Sequence, residues 1–97
     1  AIFITPFAEG DLRQVVDFYN TKNSVLANNF LQIIDQAFML ISENPLAFPI
    51  FYKKIRKFII KGFPYSVYYL VESKSIYIIA ILHMKRGPLV TKRRMKK

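Results

Sequence analysis

A few side chains in the second half of this chain have types and spacing that could do chemistry. His83 is the only histidine in 97 residues, and an imidazole that titrates near neutral pH can take or give a proton. Arg86 follows three residues later, where a guanidinium could stabilise charge developing on a phosphoryl group. Tyr68 could stack on a base or donate a proton. Together they could supply the base, acid and cation that general acid–base chemistry at a phosphoryl group needs. Lys53, Lys54, Arg56, Lys57 and Lys85 could add positive charge. Each feature has an ordinary alternative: a lone histidine at a strand end packs or stabilises a turn, a sheet-face tyrosine packs against a partner, and surface lysines keep a protein soluble.

Other chemistries find little support. The chain has no cysteine, which removes disulfides and thiolate metal sites and fits a reducing compartment. One histidine and scattered acids do not make a metal cluster. Gly10, Gly62 and Gly87 are isolated, so no glycine-rich loop cradles phosphates. Asp11 and Asp17, or Asp35 and Glu43, lack a spacing that sets two carboxylates in one helical cleft, and they read as solvated charges. We assign no cofactor and no metal.

Charge is divided unevenly. The net +9 separates into −3 over residues 1–44 and +12 over residues 45–97. Such an asymmetry steers phosphates, an acidic protein or an anionic surface toward the second half without choosing among them. The length suits one hydrophobic core. No charged start leads into a signal-like apolar segment, and no apolar run approaches the roughly 20 residues needed to span a bilayer. A cytoplasmic protein without a membrane partner is therefore expected.

The elements that must position these residues follow from periodicity. Ile2, Phe3 and Ile4 read as a strand that stops at Thr5 and Pro6, an N-cap and a first helical residue. Ala8, Leu12, Val15, Val16 and Tyr19 then recur at helical spacing. Glu9 and Asp11 lie near the helix start, where the dipole favours negative charge. Residues 20–23 break the pattern, and Ser24 is the expected N-cap of a second helix with Ala27, Phe30, Ile33, Ile34, Ala37 and Ile41 on its buried stripe. Leu31, Phe38 and Leu40 lie off that stripe and either finish the core or mark a contact. A connection of about four residues implies an antiparallel hairpin. Residues 55–60, 65–71 and 76–82 are rich in Ile, Val, Tyr and Phe and have short connections, so antiparallel strands are expected. In the middle one Tyr65, Val67, Tyr69 and Val71 share a face, while Ser66, Tyr68 and Leu70 share the other.

Four stretches in this order resemble the RelE/ParE superfamily of toxins from type II toxin–antitoxin systems. Residues 6–12, with Pro6, Ala8, Asp11 and Leu12 and the later Tyr19, look like its first helix. Residues 30–40, stopped by Asn44 and Pro45, are similar to its second. Phe63, Pro64 and Tyr65, followed by Val67 and Tyr68, and Ala80, His83, Arg86 and Pro88 at their spacing, resemble its most recognisable strands. The resemblance implies an α+β fold: an N-terminal strand, an antiparallel helical hairpin, then an antiparallel sheet of three or four strands. It implies a toxin domain over residues 1–88 and leaves residues 89–97 as a basic tail, expected to be extended.

Within that superfamily, RelE-like toxins cut messenger RNA on the ribosome with basic and polar side chains on an open sheet face. ParE-like toxins arrest DNA gyrase without known nuclease chemistry. The RelE-like pattern has an arginine at the position of Ser66 and an aromatic hydroxyl a few residues beyond Arg86. Residues 89–92 supply no tyrosine, so the resemblance is closer to the ParE-like group. Its implications are growth inhibition through gyrase, with a ribosome-dependent endoribonuclease or a plain nucleic-acid-binding module as alternatives. The implied partner is a cognate antitoxin, in a hetero-oligomer or beside a toxin homodimer. Arg86, His83 and Tyr68 are the catalytic candidates. Lys53, Lys54, Arg56, Lys57, Tyr68, Leu70, Lys85 and Arg86 are the candidates for binding target or antitoxin, on the expectation that the face carrying Tyr68 and Leu70 is open.

Overall fold

The computed structural model describes residues 1–95. The elements in chain order are β1 (Ile2–Ile4), α1 (Pro6–Lys22), α2 (Ser24–Glu43), β2 (Ile50–Tyr52), β3 (Ile55–Ile59), β4 (Tyr65–Glu72), β5 (Ser75–His83) and α3 (Gly87–Arg94). The five strands form one sheet in the order β1-β5-β4-β3-β2. All neighbours are antiparallel except β1, which runs parallel to β5. The α+β order is the one expected, and the short β2 brings the sheet to five strands.

Thr5 caps α1 as its sequence suggests. Its side-chain oxygen accepts from the Ala8 N–H, and the same hydroxyl donates to the Ile78 carbonyl at 2.8 Å, tying the helix start to β5. The helices are joined more tightly than expected. Asn23 alone, in extended conformation, ends α1 and caps α2, its Oδ1 accepting from the Val25 N–H at 2.8 Å. It takes the capping role expected of Ser24 because its carbonyl-bearing side chain sits one residue closer to the break. Helix α2 is also long and apolar enough, by length and composition, to cross a bilayer, which no simple apolar run had suggested. Its buried stripe lies on the sheet.

Ala8, Val15, Phe30, Ile34, Ala37 and Ile41 from the hairpin pack on Val67, Tyr69, Ile76, Ile78 and Ile81 of the sheet. At one end Tyr19, Phe30, Phe63 and Tyr65 meet edge to face, with centroids 5.1 to 5.6 Å apart for the Phe30 contacts to Phe63 and Tyr65. Burying a side chain such as Phe30 contributes about 2–3 kcal/mol. Strand β5 holds two inward sets because of a bulge: Tyr68 pairs with Ala80 but Tyr69 pairs with Ile78, leaving Ile79 as the extra residue. The alternation therefore changes phase, with Ile76, Ile78 and then Ile81 facing the hairpin.

The opposite face is not open. Ile55, Tyr68, Ile79, Ala80 and Leu82 form a second, smaller cluster that Val90 and Met95 help to cover. The stretch expected as an extended tail is helical through Arg94 and packs against this face, so the boundary drawn at Pro88 falls inside α3. Its eight residues show no apolar period, and the anchoring comes from contacts distant in sequence. Lys96 and Lys97, also assigned to that tail, lie outside the described residues.

Candidate functional site

Beyond Ile4 the edge of β5 has no neighbouring strand, and an ion pair takes its place. The Asp11 Oδ2 accepts the Ile81 N–H at 3.0 Å, while Arg94 donates to the Ile79 carbonyl at 3.0 Å. The two side chains also pair with each other through both guanidinium nitrogens, at 2.7 and 2.9 Å. This two-point geometry suits arginine's planar fork. Unpaired edge groups invite association with other strands, and here both are satisfied within the chain. Asp11 was read as a solvated helix-start acid, yet it is among the buried residues. Its position three residues after Ala8, on the apolar stripe, was the signal that sequence reasoning passed over.

Next to this clasp lies a depression of about 160 Å³ lined by Asp11, Gln14, Tyr65, His83 and Arg86 among others. His83 and Arg86 do come together there. His83 ends β5, and its Nδ1 accepts the Lys85 N–H at 3.1 Å while its carbonyl accepts the Arg86 N–H at 3.0 Å. The imidazole thus holds the turn into α3, with the proton of the neutral ring on Nε2. Tyr65 meets the ring edge to face at 5.4 Å.

Tyr68 is on the other side of the sheet. Expected on an open face, it is completely buried. Phe51 packs on its ring at 5.3 Å, and α3 crosses its hydroxyl so closely that a Cβ on Gly87 would collide with it. Burial pushes the hydroxyl above the ordinary tyrosine pKa, making it a poorer proton donor. Leu70, expected beside it on the open face, is only partly exposed and packs on the same cluster. The Ser66, Tyr68 and Thr91 hydroxyls are all buried without a hydrogen-bond partner, and all belong to this seam. Tyr69, one residue on, faces the hairpin and donates to the Pro45 carbonyl at 2.7 Å. Burial raises its pKa too, with Arg56 opposing the shift.

The basic candidates also separate. Arg56 turns toward the hairpin side and donates to the Leu46 and Phe48 carbonyls at 3.1 and 2.7 Å. It holds the segment between α2 and β2, a structural duty that the reading of it as a free binding group did not foresee. Lys53 and Lys54 make the β2–β3 turn, and Lys57 lies on β3 near Phe51. Lys92 of α3, read as tail, reaches the same aromatic residues. Lys85 and Arg86 are exposed at the far end of β5.

Open apolar surface is found instead between α2 and β3. A groove of about 730 Å³ is lined by Ile33, Leu40, Phe48, Phe58 and Ile59, with Lys57 and Lys61 among its walls. Leu40 and Ile59 are 46% and 55% exposed there, so the groove is not filled by the chain's own core. Of the off-stripe residues in α2, Phe38 packs on the core while Leu31 and Leu40 stay exposed.

The family model described as ParE toxin of type II toxin-antitoxin system, parDE, matches residues 2–88. No curated protein matches the chain. Among solved structures, the chain is similar to one titled "Chromosomal ParDE TA system from P. aeruginosa", with 21% identity and a TM-score of 0.76 over 86% of this chain and 94% of that one. At this identity the likeness concerns the fold.

Proposed function

This chain belongs to the ParE toxin family of type II toxin–antitoxin systems, and on that premise we propose that it arrests growth in the cytoplasm by blocking DNA gyrase until a cognate antitoxin neutralises it. The observation that carries this over nuclease action is the covering of the second sheet face by α3. A RelE-like toxin works from that face, whereas here Tyr68 and Ser66 are buried on it. Arg86 remains exposed where α3 begins and is the side chain offered to the target, with Lys85 beside it.

The alternative, ribosome-dependent endoribonuclease, draws on one specific observation. His83, Arg86 and Tyr65 line a common depression, which brings an imidazole, a guanidinium and a phenol together. Against it, His83 Nδ1 is already engaged by a backbone N–H.

The antitoxin reading moves with the geometry. The face carrying Tyr68 and Leu70 is taken, and the groove between α2 and β3 offers apolar lining with lysines among its walls. An acidic, amphipathic segment that orders on binding would bury its apolar side there and set its acids against Lys61. Lys61, Leu40 and Ile59 are then the antitoxin contacts.

Induction of the protein, with DNA and protein synthesis followed separately, tests the target. Early failure of DNA synthesis with loss of supercoiling is expected, and prompt loss of translation with supercoiling intact would overturn the gyrase reading. Co-expression with the adjacent small gene tests the partner. Leu40→Asp with Ile59→Asp should abolish rescue by the antitoxin while leaving toxicity. Rescue that survives both substitutions would remove the groove from the account.

A further inference from the structure

The β2–β3 turn and α3, far apart in sequence, bring three ammonium groups onto the same pair of rings. Lys92 Nζ lies 5.3 Å from the Tyr52 centroid and 5.8 Å from that of Phe51. Lys57 Nζ is 5.6 Å from Phe51, and Lys53 Nζ is 5.4 Å from Tyr52. Aromatic faces attract cations, but each ring here serves two. Among the described residues the salt bridge joins Asp11 and Arg94, and none of these three lysines has a described carboxylate at ion-pair distance. Lys54 and Arg93 are exposed neighbours on the turn and on α3. Lys53 itself has φ 53°, a left-handed turn conformation in which glycine or asparagine is less strained. A lysine in that place keeps a charge where local conformation favours another residue.

Two classes of anion compete for such a surface. An acidic protein segment needs apolar surface to bury if it is to order, and Ile55, Tyr68, Ile79, Ala80 and Leu82 beside this cluster are already buried within the fold. The ring-borne cations are lysines, compact charges with rotatable donors that suit a contact without fixed geometry. Duplex DNA needs only charge, which it carries at about one per 1.7 Å of helix axis. We infer that the β2–β3 turn and α3 form a sequence-independent contact for duplex DNA, in which Lys53, Lys57 and Lys92, seated on Phe51 and Tyr52, hold the phosphate backbone. The inference rests on the gyrase reading only for where the toxin meets DNA, and binding itself requires no gyrase.

The test is fluorescence anisotropy of a labelled mixed-sequence duplex of about one to two turns, titrated with the full chain between about 50 and 200 mM salt. Replacing Lys53, Lys57 and Lys92 together with alanine should lower the slope of log K against log salt by about 2–3. Alanine at Arg13, Lys22 and Lys74, which removes the same charge elsewhere, should change the slope by less than about one. Equal losses from both sets would reduce the effect to net charge and overturn the inference. So would polyglutamate that displaces the duplex at equal charge concentration. Lys53→Asn guards against misfolding, since it suits the turn: thermal stability should hold or rise while the slope falls by about one. An unchanged slope in that variant would also refute the contact. DNA binding by these lysines in a protein that halts translation would sink the gyrase reading alone, and gyrase arrest with no lysine effect would sink this inference alone.

Discussion

The two faces of the sheet are covered by different means. On the hairpin side, α1 and α2 contribute six of the twelve buried apolar residues of one cluster, and the buried Tyr69 hydroxyl has a partner. On the other side, a helix of eight residues covers five buried ones, and three hydroxyls are left without partners. The first side is held by apolar area and the second by an ion pair at the sheet edge. Where apolar surface is scarce, position has to be set by a directional contact, and Arg94 to Asp11 supplies it.

The largest expected effect tests the hairpin side. Phe30→Ala would empty the centre of the aromatic group and should cost about 3–5 kcal/mol, read from urea denaturation. Val90→Ala, under α3, should cost about 1 kcal/mol or less because that residue is only partly buried. Similar losses from the two would erase the contrast.

Breaking the clasp comes next. Arg94→Ala leaves the Asp11 carboxylate, 8% exposed, without its cation. The expected cost is about 2–3 kcal/mol, toward the low end for a broken buried pair because Arg94 itself is partly solvated. Hydrogen exchange should accelerate at Ile81, whose N–H relies on Asp11. Unchanged protection there would show that α3 is held by its apolar contacts instead.

Adjacent tyrosines on β4 give a finer comparison. Tyr69→Phe removes the donor to Pro45 and should cost about 1 kcal/mol, whereas Tyr68→Phe deletes an unpartnered buried hydroxyl and should be neutral or stabilising. A clear loss for Tyr68→Phe would mean that its hydroxyl is satisfied in solution.

The smallest effect is on pH dependence. Burial raises the pKa of Tyr68 and Tyr69, so the folded chain keeps phenolic protons that the unfolded chain releases. Their contribution is therefore constant below the ordinary tyrosine value of about 10 and is lost as pH rises above it. Tyr68→Phe should make the alkaline decline shallower in thermal melts, and an unaltered decline would assign it to other groups.

Much of the framework was legible because it is periodic. The spacing of Ala8, Val15, Phe30, Ile34 and Ile41 marks a helical stripe, and alternation in β4 places Val67 and Tyr69 opposite Tyr68. The bulge at Ile79 was not legible, since one extra residue in a run of Ile and Ala leaves no compositional trace. Among the candidate residues, His83 and Arg86 line one depression, while Tyr68 and Arg56 are engaged inside the fold.

By itself the sequence determined the hairpin, the strands, the basic second half and the family resemblance, all of which depend on neighbours a few residues apart. Tertiary structure decided which sheet face is available, because α3 has no apolar period and is recruited by Asp11, 83 positions away from Arg94. It also decided which cations stand together, since Lys53 and Lys92 share a ring only after a strand turn and a helix are folded against each other. Local pattern encodes elements, whereas a site made by distant residues exists only once the chain has closed on itself.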